Sequence, residues 1–403
     1  MRYPQDVGLH LQVGGLWWST RTRRREEVSE EGGVVVGVLD RAMSRLYFRW
    51  AYHPTSLPAL GTALPPQHHL ASVPWIVEAK PVCQSVAVQM IAAHHGVHRS
   101  RAEIDFLMGF TYGAGYRADW GFLTVGVDPE TGIGTAAPFL GLRTSYRTTS
   151  SADRYVAALR AMLASGLPIR VPLDMATVYG QGEPMPHNEV LVGYDASGFF
   201  YYEPISLPPS PCPPGRLGPG SRGLHVEADV LLAAVRRQAE MFDYPWRYSL
   251  VSFERGPTRT DLTPIWRADG QALVGGSRWG QRWGADATEH VAALIDKATA
   301  PVALAERGVL MGLATRPDNA AHLREAYPHV AEVLPSADDF DQAAAAYQAA
   351  HDIISNDPGG RGSRHQVAQH LRDAAAAERR AGQRFLRHSR RPASETSVSE
   401  PSA

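Results

Sequence analysis

The chain has 403 residues, 44% hydrophobic and 20% charged, with a formal net charge of -1. That length holds about two or three domains of ordinary core size, and the near-zero charge supplies no global field to draw the chain to nucleic acid or membrane. Its two cysteines, Cys83 and Cys212, exclude a disulfide framework and a thiolate-rich zinc site.

Residues 1–64 read as an N-terminal extension of mixed character, with GGVVVGVLD its one strand-like run. The opening MRYPQDVGLHLQVGGLWWSTRTRRREE lacks the apolar core and cleavage site of a signal peptide. No apolar run reaches the roughly 18 residues of a membrane span, so the expected location is the cytoplasm. Arg21, Arg23, Arg24 and Arg25 are followed by Glu26, Glu27, Glu30 and Glu31, the mark of a solvated segment rather than a nucleic-acid patch.

From residue 65 the signals sharpen into an α+β core that runs to 260. CQSVAVQMIAAHH places Val86, Ala87, Met90 and Ile91 on one helical face, with Gly96 as its stop. HRSRAEIDFLMGF offers Ser100 as an N-cap ahead of Ile104, Leu107 and Met108. TYGAGYRADWG then reads as a glycine-rich loop, and SADRYVAALRAMLASG as a helix opened by Ser151 or Asp153 and closed by Gly166. LPIRVPLDM is a strand; NEVLVGYD and GFFYYEPI form a hairpin across Asp195–Gly198. A proline-glycine loop (206–223), a helix (227–240) and the strand WRYSLVSFE complete the core.

Residues 265–388 read as an alanine-rich helical domain, in ATEHVAALIDKAT, AAHLREAYPHVAEVL, DDFDQAAAAYQAAHDII and RHQVAQHLRDAAAAERRAGQRFL. The polar tail, 389–403, has the composition of disorder.

Cys83 opens its helix, and it poses the chemical question. A lone cysteine is more often a small buried hydrophobe, yet a helix N-terminus favours thiolate over thiol. Cysteine catalysis also needs a base and a group to orient that base. The hairpin supplies both, opening with His187 and closing with Glu203. An odd number of loop residues would put the two on one face, with Glu203 opposite residue 189 and one diagonal step from His187. Asp195 is assigned to the turn. His94 and His98 have metal-ligand spacing, but Gly96 intervenes and no third ligand follows, so neither a metal nor another cofactor is expected. TGIGTAAPFLG lacks the flanks of a dinucleotide loop. Tyr112, Tyr116 and Trp120, around the glycine loop, are candidates either for a substrate cleft or for loop packing.

Cysteine at a helix start, histidine opening a strand about 100 residues later and an acid on the next strand resemble the order of papain-like enzymes. Within that group the GYD turn and Glu203-Pro204 are similar to the bacteriocin-leader cysteine peptidases, which carry aspartate-proline there. Cys83 with Ser85, FTYGAGY, LPIRVPLDMATVYG and the helical extension resemble more strongly the butirosin-biosynthesis (BtrH-like) acyltransferase family, over residues 70–350.

The resemblance implies a papain-like core with an all-α C-terminal domain. It implies Cys83 as nucleophile, His187 as base and Glu203 as orienting acid. An acyl group would move from an acyl carrier protein thioester to an amine of a small molecule. Leader peptidases place an oxyanion glutamine just before the cysteine, and residues 69–82 contain none. Backbone N–H groups at the helix start would take that role, with Gln84 as an added donor. The rival readings are a cytoplasmic cysteine peptidase or amidase, separated by water rather than amine as acceptor, and a non-catalytic binding protein of the same fold, separated by an ordinary thiol at Cys83.

Overall fold

A helix buried on nearly every side anchors the first of two units. In the computed structural model, which describes residues 48–57, 64–117, 121–217, 221–278, 281–357 and 361–390, α1 (Cys83–His94) buries not only the expected Val86, Ala87, Met90 and Ile91 but also Gln84, Ser85, Val88 and Ala92. Such a helix is a core element rather than a surface one. Gly96 follows it at φ +75°, a backbone conformation that glycine adopts without Cβ strain. The N-terminal extension through residue 47, with its strand-like run and its charged cluster, lies outside the described residues, as does the tail from 391.

The first unit comprises the described parts of 48–104 and 129–259. Its strands are β1 (Thr55–Ser56), β2 (His68–His69), β3 (Trp75–Val77), β4 (Leu142–Thr149), β5 (Ile169–Asp174), β6 (Pro186–Tyr194), β7 (Gly198–Tyr202), β8 (Gly215–Leu217), β9 (Leu224–Glu227) and β10 (Tyr248–Arg255). Eight of them form a sheet in the order β1-β4-β10-β5-β6-β7-β9, with β2 against the end of β6. Pairing is antiparallel except between β1 and β4. The central strands β5 and β6 are buried almost throughout, including the polar side chains of Arg170, Asp174, His187, Asn188 and Glu189.

Helices α2 (Pro129–Ala136), α3 (Ala152–Ala164), α4 (Met175–Tyr179) and α5 (Ala228–Met241) also belong to this unit, and a helix over Arg101–Met108 is divided between the two. Ser151 caps α3 through the Arg154 N–H, and Asp174 caps α4 through the Thr177 N–H. TGIGTAAPFLG, set aside as a nucleotide loop, is the body of α2 and a following 3-10 turn.

The second unit comprises described residues of 105–128 and of 260 onward. The expected boundary near 260 is therefore incomplete, because an inner segment of the core joins the helical unit. Arg316 supplies one physical reason: fully buried, it pairs with Glu378 at 2.6 Å and donates to the Gly113 carbonyl at 2.7 Å. Tyr112 packs on Phe340 and Phe385, and Phe106 on Trp266.

The helices are α6 (Thr263–Val274), α7 (Ala285–Asp296), α8 (Glu306–Ala326), α9 (Ser336–Asn356) and α10 (Arg361–His388). The unit is not wholly helical. Where the glycine loop was expected and just past its end, Gly115–Arg117 and Gly121–Leu123 pair antiparallel, and Gly276–Arg278 with Gln281–Trp283 extend them to four strands. Three-residue strands carry too little alternation to be read from sequence.

Candidate active site

The β6–β7 hairpin brings His187 and Glu203 together by a route other than an odd loop. Asp195 and Gly198 close a tight turn, with the Asp195 carboxylate accepting from the N–H groups of Ser197 and Gly198. Tyr194 then faces Phe199, a register that alone would set Glu203 opposite Val190 and away from His187. A bulge between Leu191 and Gly193 shifts the register by one, so that Val190 faces Tyr202. One step further, Glu203 stands across from Glu189, on the face of His187. His187 Nε2 lies 2.8 Å from Glu203 Oε1.

Glu203 is held from every side. Tyr179 of α4 donates its hydroxyl to Oε2 at 2.8 Å, and the Ile205 N–H donates to Oε1 at 2.9 Å. Trp75 donates its indole N–H to the Glu203 carbonyl at 3.0 Å and stacks on Tyr202. Burial works to raise the Glu203 pKa, but the His187 charge and these hydrogen bonds hold it below the ordinary carboxylate range. For His187, burial works downward, while the Glu203 carboxylate, the Cys83 sulfur and hydrogen bonds to both hold the imidazole well above its ordinary value. With Nε2 bonded to Glu203, Nδ1 is the ring nitrogen left for Cys83.

Cys83 is half-buried at the first position of α1. No side chain caps this helix and no acid occupies its first turn, so its partial positive charge is left uncompensated. A buried network fixes the terminus to the sheet. Asn188 donates to the Cys83 carbonyl at 3.2 Å and accepts from Arg170 Nε at 2.9 Å. Arg170 also pairs with Glu130 at 2.7 Å and donates to the Gln84 side-chain oxygen. That bond leaves only the NH₂ group of Gln84 as a donor to any other partner.

The other sequence candidates lie elsewhere. Tyr112 belongs to the second unit and is fully buried in its aromatic core, so it packs rather than lines a cleft. Tyr116, on a short strand of that unit, is half-buried against His290, and Trp120 lies outside the described residues. His94 spends both ring nitrogens on Ser72 and the Gly166 carbonyl. Cys212 is buried, and burial, then the Glu203 charge, push its thiol up to about 11. The proline-rich loop thus puts the second sulfur within the electrostatic reach of the first one's partners.

Sequence reasoning missed Glu189, Asn188, Tyr179 and the Arg170–Glu130 pair. For Glu189 a signal existed: in HNE, positions 187 and 189 share a strand face. Ligand atoms of His187, Glu189 and Glu203 all lie within 4.8 Å of one another, a spacing open in principle to a divalent cation. The donor set does not fit one while His187 is an imidazolium, because Nε2 then carries the proton it gives to Glu203 Oε1 at 2.8 Å and has no lone pair for a metal. Among the described residues, no helix is long and apolar enough to cross a membrane.

A partly exposed sulfur at an uncapped helix start, beside an imidazolium held by a carboxylate, is an arrangement able to form and discharge a covalent adduct at sulfur. No family model matches the chain, and no curated protein matches it.

Proposed function

We propose that this protein is a cysteine-dependent acyltransferase of papain-like type, taking an acyl group from a carrier-protein thioester onto Cys83 and passing it to the amine of a small molecule. The observation that carries the chemistry is His187, bonded through Nε2 to Glu203 and interacting with the Cys83 sulfur. The carrier-protein donor and amine acceptor rest on the resemblance to the butirosin-biosynthesis acyltransferases.

In the first half-reaction the Cys83 thiolate attacks the thioester carbonyl, and the tetrahedral oxyanion is stabilised by first-turn N–H groups of α1, with the Gln84 amide as an added donor. The carbon–sulfur bond to the carrier breaks, and the departing thiolate takes a proton from His187. In the second, the neutral imidazole accepts a proton from the attacking amine, an amide forms, and Cys83 leaves as thiolate. Glu203 keeps the ring oriented and stabilises its charge throughout.

Intact-mass measurement after incubation with acyl carrier thioesters tests this. A donor without acceptor should leave one acyl group on Cys83, discharged faster by added amines, and Cys83→Ala should take none. Rapid release of free acid, indifferent to amines, would make the enzyme a hydrolase. Absence of any adduct across a panel of donors, with Cys83 no more reactive than a free thiol, would leave a binding protein.

A further inference from the structure

Glu189 is a carboxylic acid side chain with 1% exposure in the middle of the site, and the mechanism above does not use it. Among the described residues, no N–H or O–H donates to either of its oxygens. Its nearest cationic neighbour is His187, with Nε2 3.7 Å from Glu189 Oε1, and that nitrogen is already committed to Glu203 at 2.8 Å. The acceptor nearest to hand is the Glu203 carboxylate, one residue beyond the paired strand, with an oxygen of each acid within 4.8 Å of the other.

Two ionised carboxylates repel, and neither can donate. They bond only when one of them carries a proton. Glu203 is the one equipped to stay charged, since it accepts from Tyr179 and Ile205 and faces the imidazolium. Glu189 has no such support.

We propose that Glu189 is a positioning residue that stands as a neutral carboxylic acid and donates its proton in a hydrogen bond to Glu203, so that His187 faces one carboxylate charge, beside the Cys83 sulfur, rather than two. Its role rests on the acyl-transfer reading for its purpose, but its protonation does not.

The surroundings fit that state. The groups facing Glu189 are His187 on its own strand, Glu203 and Tyr201 on and after β7, Tyr179 of α4 and Cys212 of the proline-rich loop. Tyr179 and Tyr201 have their phenols pushed upward by burial and the nearby acids, and Cys212 is a thiol near neutrality. His187 is thus the one cation in the group. Were both acids ionised, the surplus negative charge would have no counter-ion, which burial penalises heavily. Burial, then the Glu203 charge, accordingly push the Glu189 pKa well above the carboxylate range.

Two measurements test this. The first is the pH profile of Cys83 alkylation. Glu189→Ala should slow alkylation at neutral pH by about tenfold, the scale of one lost charged hydrogen bond, and Glu189→Gln should recover most of that loss, because an amide N–H still donates to Glu203. A Glu189→Gln variant as slow as Glu189→Ala would show that charge, not the proton, is what matters, and Glu189→Ala indistinguishable from wild type would show no positioning role. Either result overturns the proposal.

The second measurement stands whether or not Cys83 is a nucleophile. The infrared difference between wild type and Glu189→Gln at neutral pH should contain the C=O stretch of a protonated carboxyl; the buried Asp269 acid of the other unit is common to both and cancels. Its absence, or a stoichiometric divalent cation carried by wild type and lost in Glu189→Gln, overturns the proposal. Cys83 behaving as a free thiol while the band is present would defeat the acyl-transfer reading alone.

Discussion

Glu203 meets His187 because of an insertion of one residue in the strand between them. With the tight Asp195–Gly198 turn alone, Tyr194 faces Phe199 and Glu203 would fall on the opposite face of the sheet; the bulge at Val192 restores it. The 2.8 Å contact between the two side chains is thus a property of register as much as of residue type.

The first prediction concerns that contact. In Glu203→Ala the His187 ring loses the carboxylate that holds its proton, so its titration, followed by ring-carbon NMR shifts, should move to lower pH than in wild type. The proposed acyl transfer should fall by at least about tenfold, and by less than in His187→Ala, which removes the proposed base itself. An unmoved titration would show that Glu203 does not stabilise the imidazolium.

The two sulfurs should separate cleanly. Native protein treated with iodoacetamide should label once, at Cys83, which is partly exposed, while Cys212 is buried with its thiol pushed up to about 11. Peptide mapping should find Cys212 modified only after denaturation. Comparable labelling of both in the native state would contradict their environments.

Stability should depend on pH in opposite senses for the two acids. Glu203, depressed in the fold, contributes stability present above the ordinary carboxylate range and lost as pH falls through its lowered value. Glu189, raised in the fold, costs stability that grows as pH climbs from the ordinary carboxylate range through its raised value. His187 contributes stability complete below the ordinary imidazole range and lost as pH rises through its raised value. Relative to wild type, Glu189→Gln should therefore be more stable at pH of about 8 than at about 4, and Glu203→Gln the reverse. Denaturant midpoints across that range decide it; parallel curves would refute the assignment of charge.

Removing Arg170 should be costly. Its guanidinium and the Glu130 carboxylate are 1% and 6% exposed, and the same guanidinium orients Asn188 and Gln84. Arg170→Met breaks this buried ion pair, with an expected loss of about 3–5 kcal/mol. Where the variant remains folded, Cys83 alkylation should slow as the start of α1 loosens. A loss under about 1 kcal/mol would mean that water replaces the pair.

The helix at Cys83, the strand at 169–174 and the 186–202 hairpin were legible because hydrophobic period and turn chemistry agree there. So was the meeting of His187 with Glu203, although the reason anticipated, an odd loop, was replaced by a bulge that no local residue type announces. Asn188, Tyr179 and Arg170 were hidden for a different reason. Each acts across the sheet or from another element, and only the register of β5 against β6 brings Arg170 beside Asn188. The place of 105–128 was hidden likewise, since the partners of Tyr112 lie far along the chain in α9 and α10.

That last arrangement bears on how the chain is made. Phe106, Phe110, Tyr112 and Phe122 leave the ribosome well before α6 to α10, in whose unit they are buried. The nascent chain therefore carries a greasy segment with no home while the strands of the first unit are still being synthesised, a window in which chaperones and misassembly compete. Cutting the gene after residue 259 would make that window permanent. It would yield a sheet with an orphaned hydrophobic segment rather than a self-contained domain.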